Sequence, residues 1–303
     1  SFYKYQDGKR VFYDMNKKDY VIDSHASSVM SFKLLKQNNN LIQKNWSASV
    51  IDMGDEVVGI EFDSVLKKEL NPIDGSILET INFGLDWVLE NDYKGLVLSG
   101  DGPNFCAGAN LNMILAMSSR KDWESINNVT ELMQNIMQKI RFSSFPVVAA
   151  PYGLVLGGGF ETIGACDRIV AAAESYIGLV EVGVGLIPGA GGNLRMINNL
   201  SNKMKSAIPG AFPVVQKAFE TIGFAKVATS ANQAKSYGYL IPEDKIIINR
   251  DHILSEAKKT VLSMSDNYNP PEPESFKLPG VAGRIAVEVS VKGFVKAGKI
   301  SEH

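Results

Sequence analysis

Apolar residues fall along this chain in two rhythms. Val57 to Phe62 (VVGIEF), Gly95 to Ser99 (GLVLS) and Pro146 to Ala150 (PVVAA) are short, nearly unbroken apolar runs, the pattern of buried strands. Val50-Ile51 adds a further strand that pairs with Val57 to Phe62 across the polar Asp52 to Glu56. Between these runs the period lengthens. In Ser76 to Glu90, Ile77, Ile81, Leu85 and Val88 share one helical face, and Asp74 stands where an N-cap belongs. Asp122 to Arg141 carries a longer stripe of Ile126, Val129, Leu132, Met133, Ile136 and Ile140. Leu194 to Leu200, Phe212 to Ile222, Ala231 to Tyr237 and His252 to Met264 read as further helices, and Lys245 to Asn249 as a brief strand. Strands alternating with helices predict an α/β chain with a parallel sheet layered by helices.

The two ends differ from this body. SFYKYQDGKRVFYDM alternates aromatic and charged residues around Asp7-Gly8, a hairpin signal, and the polar run Asn38 to Asn45 reads as a linker. Asn269-Pro270-Pro271-Glu272-Pro273-Glu274 excludes helix and central strand, and leads to an apolar helix over Ile285 to Val295. The expected units are therefore 1–45, an N-terminal segment; 46–265, the core; and 266–303, a Pro-rich linker and final helix. The chain begins with Ser1 and not Met, so the sequence reads as a cut-out from a longer protein.

Composition narrows the function classes. Among 303 residues, 31 Lys and Arg stand against 33 Asp and Glu, a balance that argues against binding polyanions through overall charge. Two cysteines, Cys106 and Cys166, form no disulfide framework and suggest a reducing, cytoplasmic setting. No apolar run is long enough to cross a bilayer, and no signal peptide is expected.

The chemistry concentrates in Pro151 to Gly192, PYGLVLGGGFETIGACDRIVAAAESYIGLVEVGVGLIPGAGG. Gly157, Gly158 and Gly159 lie between an apolar run and the helical Phe160 to Ala165. A strand, a glycine turn and a helix start aim backbone N–H groups at negative charge. Glu161 sits in the first turn of that helix. Glu181 lies in an apolar stretch whose nearest basic residues are Arg168 and Arg195, so its carboxyl resists ionisation and becomes a usable proton donor. Two N–H groups converging on one oxygen stabilise a carbonyl turning into an enolate, and losing one such donor costs ~3 kcal/mol. Gly158 supplies one candidate donor, and Ala107-Gly108-Ala109 supplies the other. The same residues also suit ordinary tight turns, a helix-dipole charge at Glu161 and a loop carboxylate at Glu181.

FCAGAN, GGGFE and VEVGVGLIPGAGG together resemble the signature segments of the crotonase superfamily, the enoyl-CoA hydratase and isomerase group. The resemblance spans roughly residues 46 to 260. It implies a spiral of strand-strand-helix repeats with a C-terminal helical region, and a homotrimer or hexamer. It places oxyanion N–H groups on Ala109 and Gly158, catalytic carboxyls on Glu161 and Glu181, and substrate-binding backbone on Ala107, Gly108, Gly157 and Gly159. Keeping both glutamates resembles hydratases of trans-2-enoyl-CoA, with Glu161 activating water and Glu181 protonating the α-carbon. Isomerisation and non-enzymatic binding are the alternatives. The implied substrate is an acyl-CoA thioester; no cofactor beyond the substrate's own coenzyme A, no nucleic acid and no membrane is expected. The opening residues, AFETIGFAKVATSANQAKSYGYL and LPGVAGRIAVEVSVKGFVKAGKIS resemble the C-terminal part of fused 3-hydroxyacyl-CoA dehydrogenase and enoyl-CoA hydratase proteins, which implies a preceding NAD-dependent domain in the parent protein. Asn110 stands where many hydratases have Asp. Phe160 replaces a smaller residue, and both bear on pocket shape.

Other patterns carry less. GFVKAGKI from Gly293 nearly matches a phosphate-binding loop but lacks the final hydroxyl and follows a helix. Lys292, Lys296 and Lys299 there are a minor candidate for a CoA phosphate. His25, His252 and His303 show no metal-ligand spacing, and Cys106 suits packing better than nucleophilic attack.

Overall fold

The computed structural model describes residues 2–6, 9–23, 29–65, 67–204 and 212–301. Its centre is a seven-stranded sheet in the order β13-β10-β8-β7-β6-β5-β4. Here β4 is Leu41–Lys44, β5 Ala48–Asp52, β6 Val57–Phe62, β7 Gly95–Ser99, β8 Val147–Ala149, β10 Arg168–Ala172 and β13 Lys245–Ile247. From β6 to β13 neighbours run parallel, while β4, β5 and β6 form an antiparallel meander. Every residue of β6, β7 and β8 is buried, which explains their unbroken apolar runs: helices cover both faces. Helix α2 (Gly75–Glu90) packs on β5, β6 and β7, and α9 (Ile253–Ser265) on β6, β7, β8 and β10.

A second, three-stranded sheet, β12-β11-β9, lies beside the first, with β9 at Gly153–Leu156, β11 at Ser175–Gly178 and β12 at Val227–Ala228. The chain winds between the two. It leaves β8 for β9 and then forms α5 (Gly158–Ala165); it leaves β10 for β11 and then forms a 3-10 turn (Glu181–Val184) and α6 (Gly192–Met204). After β7 the second strand shrinks to one bridge, Cys106 with Val155, before α3 (Leu111–Ser119) and α4 (Trp123–Arg141). This is a strand-strand-helix spiral. β9 and β11 pair in parallel with Leu156 opposite Gly178, so the turns that follow them, at Gly157 and Val180, start side by side.

Some sequence expectations change. Asn38 to Asn45 is not a linker: α1 (Phe32–Gln37) ends at Asn38, and Leu41–Lys44 is the edge strand β4. An edge strand needs only one paired side, so its polar composition is tolerated. On α4, Leu132 is 44% exposed, and Met137 takes its place in the buried stripe beside Met133, Ile136 and Ile140. The aromatic-charged opening forms paired strands β1 (Tyr3–Gln6) and β2 (Lys9–Asp14), joined by β3 (Asp19–Ile22); the Asp7-Gly8 turn lies outside the described residues. α7 (Phe212–Gly223) and α8 (Ala231–Tyr237) follow the spiral, and the Pro-rich segment leads to α10 (Gly280–Lys296).

Candidate active site

Two neighbouring turns present backbone N–H groups. Gly157 has φ +53°, and its own N–H is spent on the Gly178 carbonyl at 2.8 Å. Its carbonyl accepts from Glu161 N–H at 3.0 Å, the first bond of α5. In a trans peptide the C=O and the next N–H point oppositely, so the Gly158 N–H points out of the helix start. The same reasoning applies to the other turn. The Gly108 carbonyl accepts from Ile73 N–H at 2.8 Å, which turns the Ala109 N–H away from Ile73. Among the described residues neither the Ala109 nor the Gly158 N–H has an acceptor. The Ala107 N–H is taken by Leu70 carbonyl. The turns touch: a Cβ on Gly158 would lie 3.6 Å from the Ala109 nitrogen, and one on Gly108 3.7 Å from the Gly158 nitrogen. A Cβ on Gly159 would lie 2.6 Å from the Cys106 carbonyl oxygen, so glycine there permits the approach.

Both glutamates reach this place in different states. Glu161 is buried, and its Oε1 accepts from Ala190 N–H at 2.7 Å and Gly192 N–H at 2.9 Å. Burial raises its pKa, and the amides of Gly192, Ala190 and Gly191 hold the rise back. Glu181 opens the 3-10 turn after β11, and its Oε1 would lie 3.4 Å from a Cβ on Gly157. Both of its carboxyl oxygens are buried without a hydrogen-bond partner among the described residues. Burial pushes its pKa up to about 7; the nearby Glu181 and Val180 amides hold the rise back and the charge of Glu161 adds to it.

The sequence model of the enoyl-CoA hydratase/isomerase family matches residues 56–208. The chain belongs to that family. The match takes in Ala109, Gly158 and both glutamates. A probable 3-hydroxyacyl-CoA dehydrogenase of Bacillus subtilis is 39% identical over 304 residues, covering 100% of this chain but 37% of that protein. A putative fatty acid oxidation complex trifunctional enzyme of Rickettsia felis is 27% identical, covering 92% of this chain and 36% of its own length. The chain therefore spans about a third of the curated relatives it matches. Among solved structures, an enoyl-CoA hydratase from Bacillus anthracis superposes with a TM-score of 0.59 at 27% identity, over 82% of this chain and 83% of that one. The spiral is thus the crotonase fold of this family's hydratases.

Beyond the family's motif residues, the structure adds partners that no motif shows. Ile73 N–H orients the Gly108-Ala109 peptide, although Ile73 reads in sequence only as an apolar residue before a helix cap. The Tyr239 hydroxyl accepts from Leu179 N–H at 3.2 Å and donates to the Lys226 carbonyl, fixing the end of β11 ahead of Glu181. Phe160 is not a pocket wall. Its ring is fully buried in the core, edge-on to Tyr239 at 4.9 Å, because the helix turns position 160 away from Glu161. Asn110 is the N-cap residue of α3 with no side-chain cap bond. Lys296 and Lys299 lie at the end of α10, where the Lys299 ammonium faces the Phe294 ring. His252 closes a 3-10 turn before α9; His25 and His303 lie outside the described residues. No described helix is long and apolar enough to cross a membrane.

Proposed function

We propose that this chain hydrates trans-2-enoyl-CoA thioesters to 3-hydroxyacyl-CoA. The observation that carries this reading is the Glu181 carboxyl: its oxygens are buried without a hydrogen-bond partner among the described residues, against Gly157 and beside two amides that have no acceptor there. A buried group left without a partner is costly, and such groups gather at functional sites. The thioester oxygen sits between the Ala109 and Gly158 N–H groups, with the backbone of Ala107, Gly108, Gly157 and Gly159 forming the walls. Glu161, held toward its carboxylate form by three amides, takes a proton from water. Hydroxide adds to the β-carbon, the C=C electrons move to the carbonyl oxygen, and the enolate is held by the two amides. Glu181, protonated up to about pH 7, gives its proton to the α-carbon. The proton on Glu161 then passes to Glu181 and restores both groups. The backbone hydrogen bonds on the Glu161 carboxylate fit the base, and the raised pKa of Glu181 fits the acid.

The test is crotonyl-CoA hydration by the purified chain and by Glu181→Gln. The variant is expected to fold, bind the thioester and lose about 10²–10⁴-fold in kcat. Near-normal turnover by Glu181→Gln removes the assigned proton donor. Equal or faster conversion of a cis-3-enoyl-CoA assigns the chain to isomerisation instead. In the same reading residues 1–45 adjoin a dehydrogenase in the parent protein, which the name of the 39% identical relative supports. Assembly as a trimer or hexamer is supported by apolar side chains exposed on α3 and on Val182 to Ile187, and light scattering decides it.

A further inference from the structure

Cys106 touches both turns that carry the donor pair. Its N–H donates to Leu154 carbonyl at 3.0 Å, and its carbonyl accepts from Leu156 N–H at 3.0 Å. These bonds join the loop before α3 to β9 across from Val155, just ahead of the Gly157-Gly158 turn. The Cys106 carbonyl and Cβ also lie against Gly159, where an added Cβ would come within 2.6 and 3.1 Å. The thiol faces the other way along the loop. Its Sγ accepts from the Gly108 N–H at 3.3 Å, and its S–H donates to the Gly108 carbonyl at 3.8 Å.

Gly108 has φ +103°, which glycine adopts because it lacks a Cβ, and the same lack leaves its flanking peptides more freedom than any other residue would. Ile73 N–H ties the peptide after Gly108, and the Cys106 sulfur ties the peptide before it. Both peptide planes around Gly108 are then fixed, and with them the direction of the Ala109 N–H. Burial pushes the thiol pKa up to about 12, so the sulfur is a neutral acceptor and not a nucleophile.

We propose that Cys106 is a positioning residue for the thioester-oxygen site: its backbone registers the Ala109 turn on the Gly158 turn, and its sulfur holds the Gly108 N–H so that the Ala109 amide meets the developing enolate. The proposal rests on the hydratase reading. A donor misplaced by a fraction of an ångström weakens the transition state more than the bound substrate, so the loss falls on kcat.

The experiment compares wild type with Cys106→Ala, Cys106→Val and Cys106→Ser in the full chain. Three quantities are read: kcat and KM for crotonyl-CoA, and the red shift of a bound chromophoric cinnamoyl-CoA, which reports polarisation of its carbonyl without turnover. Ala and Val remove the acceptor, and Val nearly keeps the volume, so the pair separates packing from hydrogen bonding. Expected is a loss of about tenfold in kcat with KM within about twofold, and a smaller red shift, for both variants. Cys106→Ser keeps an acceptor and is expected to recover most of both. Should Ala fail to fold, Val against Ser gives the same comparison. Variants within twofold of wild type in kcat with an unchanged red shift overturn the proposal, as does a Ser variant no better than Val. A wild type that shifts the cinnamoyl band but hydrates nothing overturns hydration alone. A wild type that leaves the band unshifted overturns both.

Discussion

Glu161 and Glu181 are chemically the same side chain in opposite surroundings. Burial raises both pKa values; at Glu161 the amides of Gly192, Ala190 and Gly191 hold the rise back, whereas at Glu181 burial outweighs the nearby Glu181 and Val180 amides and the charge of Glu161 adds to the rise. If Glu181 is the acid, kcat/KM for crotonyl-CoA falls as pH rises through about 7, tenfold per unit well above it, and a pH-rate profile reads this directly. Stability moves the same way. The folded-state pKa of Glu181 lies above its ordinary 4.5, so the fold binds the extra proton, gaining stability below 4.5 that is lost as pH rises through about 7. Glu181→Gln is therefore expected to melt with wild type at pH 4.5 and above it at pH 8, measured by calorimetry at both. A variant that is more stable and less active is the usual sign of a site held in strain. At this scale both carboxyls were picked out in the sequence through the family resemblance, since each alone also suits a helix-dipole charge or a loop carboxylate. Their different states were not, since the amides of Ala190 and Gly192 come from a loop about thirty positions beyond Glu161.

Elements were legible where their period was clean. α2 begins where Asp74 marks it: the Asp74 carboxylate accepts from Ile77 N–H at 2.9 Å and from the Ser47 hydroxyl at 2.6 Å. Asp74→Ala removes the cap and leaves Ser47 unpaired, and a loss of about 1–2 kcal/mol in urea unfolding is expected. β9 and β11 were not legible as separate strands. Each has four residues, and β9 starts at Gly153 with φ +55°, so neither shows an alternation. A Cβ at Gly153 would sit 2.5 Å from the Asn104 side-chain oxygen and 2.7 Å from the Pro103 carbonyl, contacts that exist only once the loop after β7 has folded back. The edge strand β4 escaped for a different reason: its polar residues face solvent, and only the pairing with β5 identifies it.

Across the whole molecule, the spiral sets the site and the C-terminal helix attaches to it lightly. Among the described residues of α10 only Gly283 is buried, and Val281, Ile285 and Val289 are exposed. The preceding segment is held by Glu274, which accepts from Arg141 at 2.8 Å and from Asn198, and by the Tyr268 hydroxyl on Asp167 at 3.0 Å. A chain ending at Pro279 keeps these ties. Its melting temperature is expected within about 2–4 °C of the full chain, the shift for about 1 kcal/mol, with crotonyl-CoA turnover retained. A larger drop shows that α10 stabilises the core. The sequence by itself determined the α/β class and the principal strands and helices, because these follow from local period and local caps, and through its motifs it named the candidate residues of the site. Only the tertiary structure decided which amides are free, that the Glu161 carboxyl is bonded by the Ala190 and Gly192 amides while burial dominates at Glu181, and that Phe160 points into the core. Those properties depend on which loop is brought against which, and the winding of the chain between two sheets makes those contacts between residues far apart in sequence.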